Sequence, residues 1–201
     1  MNSALLQARS DFKVIARWIN ERSRVLDLGC GDGSLLQYLA ESRGVHGCGV
    51  EISPPNIVAC VRNGVNVIQD DLETGLAEIE NGSFDFVILS QTLQAMRRTE
   101  NIVDEMLRVG RQAIVTFPNF GYWRNRVAVA LGSMPVSENL PYEWYDTPNV
   151  HLCTIDDFER FCAKRKVRIC DRVVLSNGRE MSALPNLLGQ LAVYRVERDP
   201  S

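Results

Sequence analysis

The residues of this sequence with the clearest chemical potential lie around a cluster of three glycines. Gly29, Gly31 and Gly33 follow a short apolar run that predicts a strand, and helical spacing of apolar residues resumes directly after them. Glycine at a strand-to-helix turn permits positive φ angles and lets a ligand approach the backbone closely. A dinucleotide-binding fingerprint would place its third glycine where Ser34 stands, and the carboxylate of Asp27 would repel a pyrophosphate. The pattern therefore indicates a ligand that carries a positive charge, such as an ammonium group.

Further acidic positions fit the adenosine part of S-adenosylmethionine, a ligand that bears such an ammonium group. Glu51 follows the second predicted strand, 22 residues after Gly29, and can accept hydrogen bonds from both ribose hydroxyls. Asp71 follows the third predicted strand and can accept from the adenine amino group, with Leu72 beside the ring, although Asp70 competes for this role. Because parallel sheets bind ligands at the carboxyl ends of their strands, these positions together predict a site for S-adenosylmethionine or S-adenosylhomocysteine.

Alternating apolar runs and helical periodicities predict the elements that position these residues. Helices are predicted to begin just after residues 11, 34, 53, 99 and 154, and the candidate N-caps are Ser10 or Asp11, Ser53, Thr99 and Thr154. Strands are predicted at 25–28, 45–50, 65–68, 84–89, 113–117, 167–175 and 191–196. Strands separated by helices of this length indicate βαβ units and a parallel sheet covered on both faces.

The fold class predicted from this alternation is α/β, as a single doubly wound, mostly parallel sheet in one domain over residues 1–201. The last two strands can pair antiparallel at one edge, joined by a long loop over 176–186. Residues 118–150 break the rhythm with prolines, glycines and aromatic residues, and we interpret them as an insertion. Its aromatic side chains could form a small core under the loop or a lid or protein-docking surface, and the sequence leaves both interpretations open.

Composition excludes several classes of function. The chain has 201 residues, of which 45% are hydrophobic and 23% charged, and a net charge of −3 with scattered basic residues, so no nucleic-acid partner is expected. It contains no apolar run of membrane-spanning length and no secretory signal, so we expect a cytoplasmic protein without a membrane partner. The six cysteines form no C-x-x-C pair, so reduced thiols and no metal site are expected. The oligomeric state is left open.

The site residues resemble those of the class I S-adenosylmethionine-dependent methyltransferases. The similarity rests on the strings DLGCGDG (27–33) and GSFDFV (82–87) and on the acidic residues after the second and third strands. The resemblance implies a seven-stranded sheet with its last strand antiparallel, and cofactor contacts from Gln91 and Thr92. The full set of predicted cofactor-binding residues is Asp27, Gly29, Cys30, Gly31, Gly33, Glu51, Ile52, Asp71, Leu72, Gln91 and Thr92.

A more specific resemblance is to the methionine biosynthesis protein MetW family. It is carried by the strings LSQTLQA (89–95), TFPNFGYWR (116–124), LPYEWYDTPN (140–149) and VHLCT (150–154). This resemblance implies a role in methionine synthesis together with a homoserine O-acyltransferase. The alternative is a free-standing methyltransferase that acts on a small metabolite.

No catalytic residue can be assigned from the sequence. Methyl transfer from a sulfonium is an in-line displacement that positioning alone can support, so a missing base does not exclude activity. The chain carries Ser-Gln-Thr-Leu at 90–93 in place of the Asn/Asp-Pro-Pro-Tyr motif that amino-group methyltransferases use, which argues against nucleic-acid bases as acceptors. His151 could act as a base, but a structural role is the stronger expectation. Solvated surface roles are likewise expected for Arg124 and Arg126.

Overall fold

The computed structural model of the protein describes residues 9–199, which form one eight-stranded sheet with helices on both faces. The strand order is β3-β2-β1-β4-β5-β8-β6-β7. The strands are β1 Arg24–Leu28, β2 His46–Glu51, β3 Asn66–Gln69, β4 Phe84–Ser90, β5 Gly110–Pro118, β6 Val167–Ser176, β7 Arg179–Met181 and β8 Leu191–Arg198. The doubly wound α/β fold predicted from the sequence is thus confirmed.

Seven helices accompany the strands of the described residues. They are α1 Ser10–Trp18, α2 Ser34–Arg43, α3 Pro54–Arg62, α4 Thr99–Val109, α5 Trp123–Ala130, α6 Ile155–Lys164 and α7 Pro185–Leu188, with 3-10 turns at Leu72–Thr74 and Leu93–Ala95. Five of the helices, all but α5 and α7, were predicted from the sequence. One apolar cluster packs α1 and α2 on one face of the sheet, and a second packs α4 and α6 on the other. No helix among residues 9–199 has the length and apolar character needed to cross a membrane.

The antiparallel edge of the sheet differs from the prediction in one strand. β1 to β5 run parallel, β8 pairs antiparallel with both β5 and β6, and the predicted pairing of the last two long strands is correct. The count of seven strands is wrong, because the predicted loop 176–186 contains β7, which pairs antiparallel with β6. β7 has only three residues, Arg179–Met181, and carries no alternation of apolar and polar residues from which a strand could be predicted.

The predicted insertion contains a helix, α5, followed by a long segment without regular structure. α5 buries only Asn125, so it lacks the apolar face whose periodicity would reveal a helix in the sequence. Residues 131–154 are irregular apart from an isolated bridge between Ser137 and Leu140. Asn119, at the start of the insertion, holds this region to the rest of the fold, since its buried amide donates to the carbonyls of Asn186 and Gly189 and accepts from Ile155 N.

Thr154 and Thr99 are both predicted as N-caps, but only Thr154 caps a helix in the structure. The Thr154 hydroxyl accepts from Asp157 N, and the Asp157 carboxylate accepts from Thr154 N, which is a capping box. Thr99 is instead the first residue of α4 and caps nothing. We expect Thr154→Ala to lower the free energy of unfolding by about 1 kcal/mol and Thr99→Ala to change it by less than about 0.5 kcal/mol. If urea unfolding showed that both variants lose the same free energy of unfolding, this assignment of the N-caps would be contradicted.

Candidate functional site

The strand order brings the predicted site residues to one edge of the sheet. β1 lies between β2 and β4, so the residues that follow these three strands are neighbours at their carboxyl ends. Asp27, near the end of β1, is paired in register with Gly49 of β2 and Ile88 of β4. This edge, beside the reversal of strand order at β1 and β4, is where open α/β sheets bind ligands.

The glycine loop adopts the conformation that its sequence predicts. Gly29, Gly31 and Gly33 all have positive φ angles, between 58° and 80°. At Gly29 the small residue is also required by a close approach, because a Cβ there would lie 2.8 Å from the Thr92 hydroxyl oxygen. A Cβ on Gly31 would meet no atom of the described residues within 4 Å, so the backbone at Gly31 borders open space. The loop thus contacts the segment that follows β4 on one side and is open to a ligand on another.

The hydrogen bonds of the loop argue against a phosphate ligand. Gly29 N and Cys30 N both donate to the carbonyl of Val50, Gly31 N donates to the Glu51 carboxylate, and Gly33 N donates to the Cys30 carbonyl. With the bond from Ser34 N to the Asp32 carboxylate, five of the six N–H groups over residues 29–34 are already engaged within the chain. Phosphate cradles depend on free N–H groups. The loop therefore suits a ligand recognised through carboxylates.

Glu51 is a buried carboxylate that is fixed in place by the backbone. One carboxylate oxygen, Oε1, accepts from Ile52 N at 2.9 Å and Ser53 N at 2.8 Å, and Oε2 accepts from Gly31 N at 2.9 Å. A carboxylate has about four acceptor positions, so about one remains open, on Oε2. The geometry leaves room for one well-made hydrogen bond from a ribose hydroxyl, where the sequence suggested two.

Asp27 is a buried carboxyl group at this edge with a strongly shifted pKa. Its side chain is buried, and its Oδ1 atom has no hydrogen-bond partner within the described residues. Burial raises the pKa of Asp27 from 3.8 to about 7; Arg9 opposes the shift, and the neighbouring carboxylates of Glu51 and Asp11 add to it. A buried acceptor without a donor is rare and calls for an unseen partner. An ammonium group beside Asp27 would supply both the missing donors and the missing positive charge.

This perturbation predicts a pH-dependent stability. Because the folded protein raises the pKa of Asp27, it holds a proton that the unfolded chain has released between pH 4 and pH 7, so the contribution of Asp27 to stability falls as pH rises through this range. Asp27→Asn cannot ionise. We expect its free energy of unfolding, relative to wild type, to rise by up to about 4 kcal/mol from pH 4 to pH 7 and to stay level above that. A constant difference across pH in chemical denaturation would contradict the predicted burial of this carboxyl.

The predicted adenine side of the site is more open. Asp70 and Asp71 are both exposed, and Leu72 is half-buried. The Asp70 carboxylate accepts from Asp71 N, whereas the Asp71 carboxylate accepts from Glu73 N and so caps the first 3-10 turn. Ile52 is exposed, and Cys30 is buried with its sulfur 3.7 Å from the sulfur of Cys60, so Cys30 can offer a ligand little more than its backbone.

The loop after β4 carries Gln91 and Thr92, and it brings Thr92 against the glycine loop. Gln91 has a φ of 52°, in the left-handed region that residues other than glycine rarely adopt. Its N–H donates to both the carbonyl oxygen and the hydroxyl oxygen of Thr116. Such backbone strain is often found at functional sites. Thr92 contacts Gly29, as described above, and its hydroxyl donates to the carbonyl of Ser90.

Two residues at this edge were not predicted from the sequence as part of the site. Asp11 is buried in the first turn of α1, where its carboxylate accepts from the guanidinium of Arg9 at 2.8 Å. The same guanidinium donates to the hydroxyl of Ser90 at the end of β4. The sequence offers Ser10 or Asp11 as the N-cap of α1, but no side-chain cap is formed there. Arg9 and Asp11 instead cover one end of the predicted site.

The insertion and the two residues after it present most of the exposed large apolar side chains found among residues 9–199. Of sixteen such side chains that are well exposed there, eleven lie within residues 123–152, and we call these the 123–152 surface. Trp144 and Tyr145 are both 71% exposed. The surface consists of Trp123, Val127, Val129, Leu131, Met134, Val136, Tyr142, Trp144, Tyr145, Val150 and Leu152. The interpretation of these aromatics as a small core is therefore wrong for most of them, and only Phe120 and Tyr122 are half-buried.

The other polar residues considered from the sequence, His151, Arg124 and Arg126, make contacts within the chain. His151 is exposed, and its Nε2 lies 3.3 Å from the carbonyl of Arg97. Arg126 donates to the carbonyl of Gly121, and the guanidinium of Arg124 lies over the ring of Trp123. Among residues 9–199, no three His, Cys, Asp or Glu side chains are grouped so as to hold a metal ion.

Comparison with known proteins identifies close relatives of the sequence. A family model described as "MetW: Methionine biosynthesis protein MetW" matches residues 9–196. A protein named "Bifunctional methionine biosynthesis protein MetXA/MetW", from Rhodopirellula baltica, is 36% identical over 203 aligned positions, which cover 94% of this chain. The chain spans only one third (33%) of that relative's length.

Solved structures share the fold at low sequence identity. An S-adenosylmethionine-dependent methyltransferase from Mesorhizobium loti superimposes with a TM-score of 0.72 at 15% identity, covering 96% of this chain and all of that one. The [4+2]-cyclase SpnF superimposes with a TM-score of 0.69 at 16% identity, covering 97% of this chain and 83% of that one. These likenesses show that the chain has the Rossmann-like fold of S-adenosylmethionine-dependent methyltransferases.

Proposed function

The chain belongs to the methionine biosynthesis protein MetW family, and from this premise we propose that it binds S-adenosylmethionine and acts together with a homoserine O-acyltransferase whose activity it supports. The observation that carries the cofactor part is the buried Asp27 carboxylate, whose Oδ1 has no partner in the described chain, beside a glycine loop that does not favour phosphate. The observation that carries the partner part is the relative in which MetXA and MetW are joined in one protein.

The residues at the sheet edge fit S-adenosylmethionine in chemistry. Asp27 would hold its ammonium group, Glu51 a ribose hydroxyl, and Asp70 or Asp71 the adenine amino group, while Gln91 and Thr92 would border the methionine part. When bound, this cofactor supplies an electrophilic methyl group on a sulfonium. The polar contacts come from the ends of four neighbouring strands, β3, β2, β1 and β4, of one sheet, which orders the site before the ligand arrives.

Calorimetric titration tests the cofactor part. We expect S-adenosylmethionine or S-adenosylhomocysteine to bind with a one-to-one stoichiometry, and NADH to give no heat of binding, because the loop offers few free N–H groups to a pyrophosphate. Absence of binding at millimolar S-adenosylmethionine, or binding of NADH in its place, would overturn this assignment.

The fold itself does not decide whether the protein transfers a methyl group. The same architecture occurs in a protein named a [4+2]-cyclase as well as in methyltransferases. Conversion of labelled S-adenosylmethionine to S-adenosylhomocysteine in the presence of cell metabolites would support the free-standing methyltransferase. Binding without turnover would support a subunit that uses the cofactor as a signal.

The partner part is tested by association. The 123–152 surface offers aromatic and aliphatic side chains and a methionine to solvent, and aromatic residues and methionine are enriched at protein–protein interfaces. We expect this chain to co-purify with the homoserine O-acyltransferase at micromolar concentrations. We further expect Val129→Asp, on this surface, to weaken the complex, and Val58→Asp, on α3, to leave it unchanged. Both valines are 48% exposed on helices. Failure to form a complex would remove the partner, and equal effects of the two variants would remove the surface.

A further inference from the structure

One residue, Gln94, connects the predicted cofactor site to the 123–152 surface. It lies in the 3-10 turn Leu93–Ala95, directly after β4. Its side-chain Nε2 donates to the carbonyl of Gln91 at 2.7 Å, and its own carbonyl accepts from Val150 N at 2.8 Å and His151 N at 3.0 Å. The site residue Gln91 and the end of the 123–152 surface are therefore held by the two ends of the same residue.

The side-chain amide of Gln94 does not make all of its possible hydrogen bonds within the described residues. Its Oε1 atom is buried and has no hydrogen-bond partner among residues 9–199, which is unfavourable for an amide oxygen. Gln91, to which its Nε2 donates, has a φ of 52° in the left-handed region. A strained backbone next to an unpaired buried acceptor is typical of elements that have a second arrangement available to them. A ligand that contacts Gln91 can change the balance between two such arrangements.

Backbone hydrogen bonds hold the irregular part of the 123–152 surface at both ends. Ser133 N donates to the carbonyl of Ala128 at the end of α5, and at the other end Val150 N and His151 N donate to the carbonyl of Gln94 and Phe120 N donates to that of Cys153. Between these ends the chain has no helix or strand beyond the bridge at 137 and 140. The position of residues 150 and 151, at one end of the surface, therefore depends on the position of Gln94.

We propose that Gln94 couples the two sites, so that bound S-adenosylmethionine increases the affinity of the 123–152 surface for the acyltransferase. The inference rests on the proposed function for both ligands. A cofactor that orders Gln91 also fixes Gln94 and the adjoining end of the surface. The acyltransferase then has less conformational freedom to remove when it docks, which gives positive coupling. Thermodynamic linkage requires the acyltransferase to increase cofactor affinity by the same factor.

Four dissociation constants test this coupling. The affinity of the acyltransferase for the full chain is measured without and with saturating S-adenosylmethionine, and the affinity of S-adenosylmethionine is measured without and with saturating acyltransferase. We expect both affinities to increase by the same factor, of about fivefold or more. Affinities that are unchanged or weakened by the other ligand would overturn the coupling.

Variants of Gln94 separate this role from a structural one. Gln94→Met keeps the length of the side chain but removes the donor to Gln91 and the unpaired acceptor, and Gln94→Ala provides a second variant if the first is poorly folded. We expect the coupling factor to fall to within about twofold of one, while each ligand alone still binds. Gln37→Met, at a half-buried glutamine of α2, is the matched control and should keep the wild-type factor. A Gln94 variant that folds and retains the full factor would contradict the assignment.

The binding measurements distinguish a failure of the proposed function from a failure of the coupling. If either ligand alone fails to bind the wild-type chain, the proposed function is wrong and the coupling falls with it. If both bind and the factor is one, the proposed function stands and only the coupling is wrong.

Discussion

Replacement of Glu51 by Ala should weaken S-adenosylmethionine binding by about 10- to 100-fold. The carboxylate would lose a charge-assisted hydrogen bond to the ribose, worth roughly 1.5–3 kcal/mol. The structure adds a second consequence, because Glu51 also accepts from three backbone N–H groups, of Gly31, Ile52 and Ser53. Their loss loosens the glycine loop, so Glu51→Ala should also lower the free energy of unfolding, by about 1–3 kcal/mol.

Calorimetry and urea unfolding on the same preparations separate the two effects. Glu51→Gln keeps one acceptor oxygen and should retain more stability than Glu51→Ala, but it should still bind the cofactor less tightly than wild type because it lacks the charge. Glu78→Ala, at an exposed glutamate, is the control and should change neither quantity. A Glu51→Ala protein with wild-type affinity would show that the ribose lies elsewhere.

The double variant Trp144→Ala, Tyr145→Ala should weaken the complex with the acyltransferase by at least about 30-fold. Both side chains are 71% exposed, and their rings lie 5.7 Å apart, edge to face. Aromatic residues with so much free surface are the type that carries most of the free energy at interfaces, commonly at about 1–2 kcal/mol or more each. Their exposure also means that the variant should unfold at the wild-type temperature.

Cofactor binding provides the control for this double variant. The direct effect of removing Trp144 and Tyr145 falls on the docking surface, so S-adenosylmethionine measured without the acyltransferase should bind with wild-type affinity. A complex of undiminished affinity would keep the acyltransferase as a partner but would place its contact outside these two aromatic residues.

Most of the fold could be predicted from sequence because its strands are buried and apolar. β1, β4 and β5 are rich in Val, Leu, Ile and Phe, and α2, α3 and α4, which lie between them in the chain, carry apolar residues at helical spacing. The elements that were missed lack this signal. β7 is a three-residue edge strand, Arg179–Met181, and α5 exposes its valines instead of burying them.

The site residues at the ends of strands could be predicted from the sequence. The site residues that are brought in by contacts between distant parts of the chain could not. Asp27 and Glu51 lie at the carboxyl ends of β1 and β2, and the glycines follow β1, so their convergence follows from a parallel sheet. Asp11 approaches Gln91 across 80 residues of sequence, and its place in the first turn of α1 looks like that of an ordinary helix-capping acid. The link through Gln94 could not be predicted either, because it depends on backbone bonds from an irregular segment.

Whether this chain supports the acyltransferase is tested by the rate of acyl transfer to homoserine, measured for the acyltransferase alone and with this chain at increasing concentration. We expect a rate that rises with the concentration of this chain and saturates as the complex forms. The Trp144→Ala, Tyr145→Ala variant should require at least about 30-fold more protein for the same rise. A rate that stays the same at every concentration of this chain, with and without S-adenosylmethionine, would contradict the proposed support.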